Sequence, residues 1–136
     1  PLLVKFLLQA ENVIFQNVDM IIPVPLHWTR FWKRRYNQSS LLGKALGKKL
    51  GIPCYSNILK RVRMTESQGK KTRQAREKNI KNAFRVARPD AIKGKKILLI
   101  DDVMTTGATI TECTKILRKA GAKEVKVITL YRVIRL

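Results

Sequence analysis

A chain of 136 residues with 45% apolar side chains can bury a core of its own as one domain, and it is too apolar to be disordered. With Cys 2 and His 1, it excludes a disulfide framework and a zinc cluster. Lys+Arg 29 against Asp+Glu 9 leaves a net charge of +20, which favours polyanions such as nucleic acid, diphosphates or an acidic membrane surface. A solvated basic surface is the plain alternative.

Residues 2–10 are apolar nearly all round, as in a helix buried against a partner. The stretch is too short to span a bilayer and Lys5 interrupts it, and no signal-peptide pattern is present. Because the chain opens on Pro1, an upstream segment is expected. Met20, Ile21 and Ile22 predict a core strand, which Pro23 and Pro25 turn out of the ladder. The loop that follows sets Arg30, Lys33, Arg34 and Arg35 among Trp28, Phe31, Trp32 and Tyr36. Arginines among aromatic rings suit a diphosphate clamp and equally suit single-stranded nucleic acid, while packing of the rings on the core is the bland reading. Ser39 or Ser40 then caps a helix whose apolar face is Leu41, Leu42, Ala45, Leu46 and Leu50, with Gly51 as the stop.

Residues 52–55 and 58–62 read as two short strands, and Cys54 as a buried thiol. Residues 63–73, poor in apolar side chains and rich in Lys and Arg, read as a mobile loop. Residues 74–84 predict a helix with Ala75, Ile80, Ala83 and Phe84 inward. Arg76, Lys78 and Lys81 form its basic side, which either tracks a phosphate backbone or is simply solvated. Turns are expected at 88–90 and 93–96. Four branched residues, Ile97, Leu98, Leu99 and Ile100, then make an unbroken run, the mark of a strand buried on both faces. Asp101 and Asp102 end it, and Thr105, Thr106, Gly107, Ala108 and Thr109 lead into a helix with Ile110, Cys113, Leu117 and Ala120 inward and Gly121 as its stop. A last strand is expected at 125–131. Strands alternating with helices around an apolar central strand predict an α/β fold with a parallel sheet. A strand, a hydroxyl-rich turn and a helix N-terminus make an anion site, since the first helical N–H groups lack internal partners. Neither Gly-x4-Gly-Lys-Ser/Thr nor Gly-x-Gly-x-x-Gly occurs in the expected context.

Residues 97–109 resemble the phosphoribosyl diphosphate (PRPP) signature of type I phosphoribosyltransferases. The resemblance narrows to the ComF group of amidophosphoribosyltransferase-like competence proteins. It rests on Pro23-Val24-Pro25-Leu26, residues 34–39, Leu59-Lys60-Arg61, Thr65, Gln68, Arg76, Asn79, Ala83-Phe84, the PRPP signature and Ala120-Gly121-Ala122, and it spans about 21–131. Two departures stand out. Arg35 occupies the place where the group commonly has glycine, and the group's N-terminal zinc-binding segment is absent from this chain.

The resemblance implies a type I phosphoribosyltransferase-like core over 1–136, with an N-terminal helical segment at 1–18 and the core at 19–136. It implies Asp101 and Asp102 on the ribose as the catalytic pair. The 5′-phosphate falls to Thr105, Thr106, Gly107, Ala108 and Thr109, and the diphosphate to Arg34, Arg35, Asn37 and Gln38. Arg61, Arg63, Gln68 and Lys70 belong to the flexible-loop region that folds over PRPP. Mg²⁺ arrives with PRPP near the two aspartates, with no zinc site. The reaction implied is phosphoribosyl transfer with diphosphate release in a cytoplasmic protein of natural transformation. The alternative is a single-stranded DNA-binding competence factor in which PRPP is regulatory or vestigial, with Arg30, Trp32, Lys33, Arg76, Lys78 and Lys81 on the nucleic acid. DNA-uptake helicase or recombination proteins are the implied protein partners.

Overall fold

The computed structural model describes residues 15–25, 38–62, 80–101 and 107–129. Its elements in chain order are β1 (Met20–Pro23), α1 (Gln38–Leu50), β2 (Leu59–Arg61), β3 (Phe84–Val86), α2 (Pro89–Ile92), β4 (Lys96–Asp101), α3 (Ala108–Lys119) and β5 (Glu124–Thr129). The first, fourth and fifth strands form a parallel sheet in the order β1-β4-β5. Ile97 to Ile100 are at most 1% exposed because the central strand is covered on both faces.

Strand alternation divides the core in two. Met20, Ile22, Val24, Ile97 and Leu99 face α3 with its buried Ile110, Cys113 and Leu117. Ile21, Leu98, Ile100 and Ile128 face α1 through Leu42 and Leu46, and Phe15 closes that side. The helix after β1 therefore lies on one face of the sheet and the helix after β4 on the other. Both helices stop as glycine allows. Gly51 and Gly121 have φ of 71° and 110°. Ala122 N–H donates to Leu117 O at 3.1 Å and Gly121 N–H to Arg118 O at 3.0 Å, a two-bond closure of the last turn.

Four local expectations are corrected. The first helix already contains Ser39 and Ser40, so neither is its cap; Ser39 is buried and Ser40 Oγ lies 2.8 Å from Ser56 Oγ. Leu41 is 54% exposed, because the buried stripe runs Ser39, Leu42, Gly43, Leu46, Gly47. That stripe can pack closely only through its glycines: a Cβ on Gly47 would stand 2.4 Å from Ile52 O, and one on Gly43 3.0 Å from Cys54 Sγ. Pro23 stays in the ladder, opposite Ile100. Ile21 bonds through its N–H and C=O to Pro53 and Tyr55, so the N–H that Pro23 lacks falls on that flank and not on the β4 side.

The fourth correction concerns 74–84. Only its end is described: Ile80 is helical as expected, but a turn at 81–82, with Asn82 at φ 64°, ends the helix there and leads to a strand that starts at Phe84. That strand pairs antiparallel with Leu59–Arg61, a two-stranded ribbon that packs Leu59, Ala83 and Phe84 against α3. The expected turn at 88–90 tightens into the single helical turn of α2, with Pro89 in its first turn and Ile92 fully buried.

Candidate functional site

In parallel sheets ligands sit beyond the carboxyl ends of the strands, at the point where successive helices leave to opposite faces. Here that point lies between β1 and β4. Val24 N–H donates to Ile100 O at 2.8 Å, so the chain leaving β1 at Pro25 does so beside the end of β4. Asp101 is the last residue of β4 and only 8% exposed, and its register partner on β5 is Thr129, at 3%. Burying a carboxylate and a hydroxyl at a strand end is costly unless both are engaged, which marks the edge as more than a packing surface.

Gly107 begins the helix at this edge. Its φ of 82° and ψ of −1° are left-handed, and it offers no side chain to cap the helix. Its carbonyl accepts from Thr111 N–H at 2.9 Å, which closes the first turn. Ala108 and Thr109 occupy that turn. The backbone thus aims the positive end of the α3 dipole at the carboxyl edge.

Below this end of the helix, Cys113 is fully buried. Burial raises its thiol far above the usual range, the Asp101 and Glu112 carboxylates add to the rise, and the Arg61 guanidinium opposes it. Asp101 and Arg61 therefore act on one small volume beneath the helix. Arg61 itself ends β2 and lays its guanidinium 4.8 Å over the Phe84 ring, so it belongs to the ribbon and not to a free loop. Sequence reasoning missed Thr129, whose only signal is its place at the end of an apolar strand.

Of the expected site residues, Asp101, Gly107, Ala108 and Thr109 come together at the carboxyl edge, and the first helix begins at Gln38. Lys81 is exposed beside Ile80, at the approach to β3. Asp102, Thr105, Thr106, Arg34, Arg35, Asn37, Arg63, Gln68 and Lys70 lie outside the described residues, as do Arg30, Trp32, Lys33, Arg76 and Lys78. Among the described residues no group of three or more His, Cys, Asp or Glu could hold a metal ion, and no helix is long and apolar enough to cross a membrane.

The family model of the phosphoribosyl transferase domain matches residues 37–135. The chain belongs to this family. Among relatives, Competence protein F of Haemophilus influenzae is 44% identical over 115 residues, 84% of this chain and 50% of that protein. The DNA utilization protein YhgH of Salmonella typhimurium is 38% identical over 131 residues, 96% of this chain and 57% of that protein. This phosphoribosyl transferase domain is thus ComF-like, and the chain spans about half the length of the relatives it matches. In fold it is similar to the glutamine PRPP amidotransferase of B. subtilis, with a TM-score of 0.64 at 23% identity over 94% of this chain and 25% of that one. The adenine phosphoribosyltransferase of Rhodothermus marinus gives 0.59 at 17% identity over 94% of this chain and 64% of that one. The type I phosphoribosyltransferase fold read from the sequence is the fold of this chain.

Proposed function

We propose that this domain binds PRPP with Mg²⁺ at the carboxyl edge between β1 and β4 and transfers its phosphoribosyl group to an acceptor. The observation that carries the reading is the buried Asp101 at the end of the central strand, beside the start of the helix that Gly107 opens in a left-handed conformation. The 5′-phosphate is received by the first turn of α3 together with Thr105 and Thr106, and Asp101 with Asp102 takes the ribose hydroxyls. Arg34, Arg35, Asn37 and Gln38 receive the diphosphate. Asp101 offers hard oxygen donors, which suits Mg²⁺ held chiefly by substrate phosphates with one or two carboxylates nearby.

In the reaction the bond from C1 to the diphosphate oxygen breaks, and its electron pair leaves on the diphosphate. The acceptor forms its bond to C1 and gives up a proton. Positive charge builds on the ribose in between, and carboxylates held near the sugar favour it. Positioning and electrostatics carry the step more than a strong base does.

Calorimetric titration with Mg-PRPP tests the reading. The wild type binds, and Asp101→Asn weakens binding roughly 10- to 100-fold, as expected for charge-assisted hydrogen bonds to the sugar. Absence of heat and of diphosphate release in the wild type removes the proposal. A second reading, binding of single-stranded DNA in a competence role, is motivated by the net charge of +20 and by the names of the relatives, a competence protein and a DNA utilization protein. It predicts steeply salt-dependent binding to single strands; equally weak binding to any polyanion counts against it. The helicase or recombination partners and the cytoplasmic setting implied by the family resemblance belong to this second reading.

A further inference from the structure

The amino edge of the sheet, at the opposite end of the strands from Asp101, holds a concave site of its own. A cavity of about 520 Å³ opens between the 53–58 segment and the stretch around α2. Its volume is within the roughly 300–1,000 Å³ of small-molecule sites. Buried Met20 and Ile58 form an apolar floor. Tyr55, 41% exposed, and Asn57 stand on one wall, and the exposed Arg88 and Lys95 on the other. Asp19 lies at the lip, its Oδ2 accepting from Lys96 N–H at 2.8 Å.

The cations around the cavity are held on one surface. Gly94 N–H donates to Gly121 O and Lys123 N–H to Lys95 O, both at 2.8 Å, which ties the turn before β4 to the turn before β5. Lys93 packs against Gly121 so closely that a Cβ there would stand 3.2 Å from Lys93 Cγ. Lys93, Lys95, Lys119 and Lys123 are all exposed on this rim. Of the acids nearby, Asp19 is engaged as above, Glu124 pairs with Lys126 at 3.7 Å, and Asp90 is exposed on α2.

We propose that this cavity binds a nucleoside 5′-phosphate unit. The base lies on the Met20–Ile58 floor against the Tyr55 ring, with its polar edge toward Asn57 and Asp19, and the phosphate meets Arg88 and Lys95. An apolar floor with a ring, an amide and two cations matches a flat heterocycle that carries a phosphate better than it matches inorganic phosphate or a sugar. The unit comes either from a free mononucleotide or from one position of a single strand that continues along the lysine rim. The site does not depend on the PRPP reading, because it lies at the other edge of the sheet.

Fluorescence anisotropy with thymidine 5′-monophosphate as competitor and a labelled oligothymidylate as probe, at several salt concentrations, tests the proposal. Arg88→Ala with Lys95→Ala is expected to weaken binding at least about tenfold. For the oligonucleotide it makes the slope of log K against log salt shallower by about 0.7, because the two cations meet one phosphate. Tyr55→Ala is expected to cost roughly 5- to 100-fold with the salt slope kept, since stacking carries no counterions. The control is Lys44→Ala with Lys115→Ala, which removes the same charge from exposed positions on the outer faces of α1 and α3. The control should keep the wild-type affinity for the monophosphate. All five substituted positions are exposed, so folding is checked by an unchanged circular dichroism spectrum and melting temperature. Displacement of the oligonucleotide by the monophosphate at comparable affinity supports a free-nucleotide site, and much tighter oligonucleotide binding supports a strand site. Wild-type binding in the Arg88/Lys95 variant, an equal loss in the control, or one-for-one displacement by Mg-PRPP overturns the proposal.

Discussion

Replacing Gly107 by alanine tests the backbone on which the proposed anion site depends. Gly107 has φ 82° and ψ −1° at the start of α3, a left-handed conformation in which an L side chain crowds the following carbonyl. That costs about 1–2 kcal/mol for alanine. For a domain of this size each kcal/mol moves the melting temperature by about 4 °C, so Gly107→Ala is expected to melt about 4–8 °C lower. Asparagine tolerates the left-handed region, so Gly107→Asn should recover about half of that loss. Relaxation of the strained turn also re-aims the first N–H groups of α3, so Mg-PRPP affinity should fall in the same order, glycine above asparagine above alanine. Thermal unfolding by circular dichroism and calorimetric titration read the two effects separately. The sign of the alanine effect is decisive. Were φ negative, Gly→Ala would stabilise by about 0.4–1 kcal/mol through the unfolded chain. A melting temperature at or above wild type for Gly107→Ala would refute the reasoning.

Other expectations follow from the core and the thiols. Gly47→Ala gains helix propensity of about 1 kcal/mol but drives a Cβ toward Ile52 O, which already accepts no slack because Ile52 N–H is bonded to Gly47 O at 3.0 Å. Urea unfolding should show a net loss of about 1–3 kcal/mol, and a gain would mean that α1 sits farther from the 52–54 segment. Leu46→Ala, at a fully buried position, should cost about 2–5 kcal/mol, whereas Leu41→Ala at 54% exposure should stay within about 0.5 kcal/mol; equal effects would mean the wrong face of α1 is assigned to the core. The neutral Cys113 thiol is favoured in the folded state, its pKa raised far above the usual 9.0 chiefly by burial. The stability this contributes is complete below about pH 9 and is lost as pH rises beyond it, at about 1.4 kcal/mol per pH unit, because only the unfolded thiol ionises there. Unfolding of Cys113→Ala should show a shallower decline above pH 9, and an unchanged decline would refute the assignment. In the native protein at pH 8, a thiol reagent should label the half-buried Cys54 and leave Cys113 untouched until denaturant is added.

Much of the framework is legible in local pattern. The run Ile97 to Ile100 identifies the central strand, since four branched residues in a row have no solvent face to serve. Ile110, Cys113 and Leu117 mark the inner stripe of α3, and Gly121 marks its end, because few other residues accept a φ of 110°. The first helix lies where its pattern puts it, and of its five apolar residues Leu42, Ala45, Leu46 and Leu50 pack inward while Leu41 does not. Five apolar residues suggested a broad face, whereas the glycines at 43 and 47 bring the neighbouring segment so close that the face turns toward them and leaves Leu41 outside. Ala83-Phe84 read as helix because its neighbours did. Its partner strand, Leu59–Arg61, lies more than 20 residues earlier in the chain, and no local period reports such a pairing.

The sequence by itself determined the chemistry available at Asp101 to Thr109: a carboxylate pair, hydroxyls and a glycine that opens a helix, in an order that resembles a PRPP site. Covalent order suffices for that, since strand, turn and helix are contiguous. Only the tertiary structure decided where that chemistry stands. The side of the sheet on which each helix crosses depends on the summed packing of both faces. That packing sets α1 and α3 on opposite faces, brings Asp101 and the start of α3 to the carboxyl edge beside β1, and gathers Tyr55, Arg88 and Lys95 around a cavity at the other end.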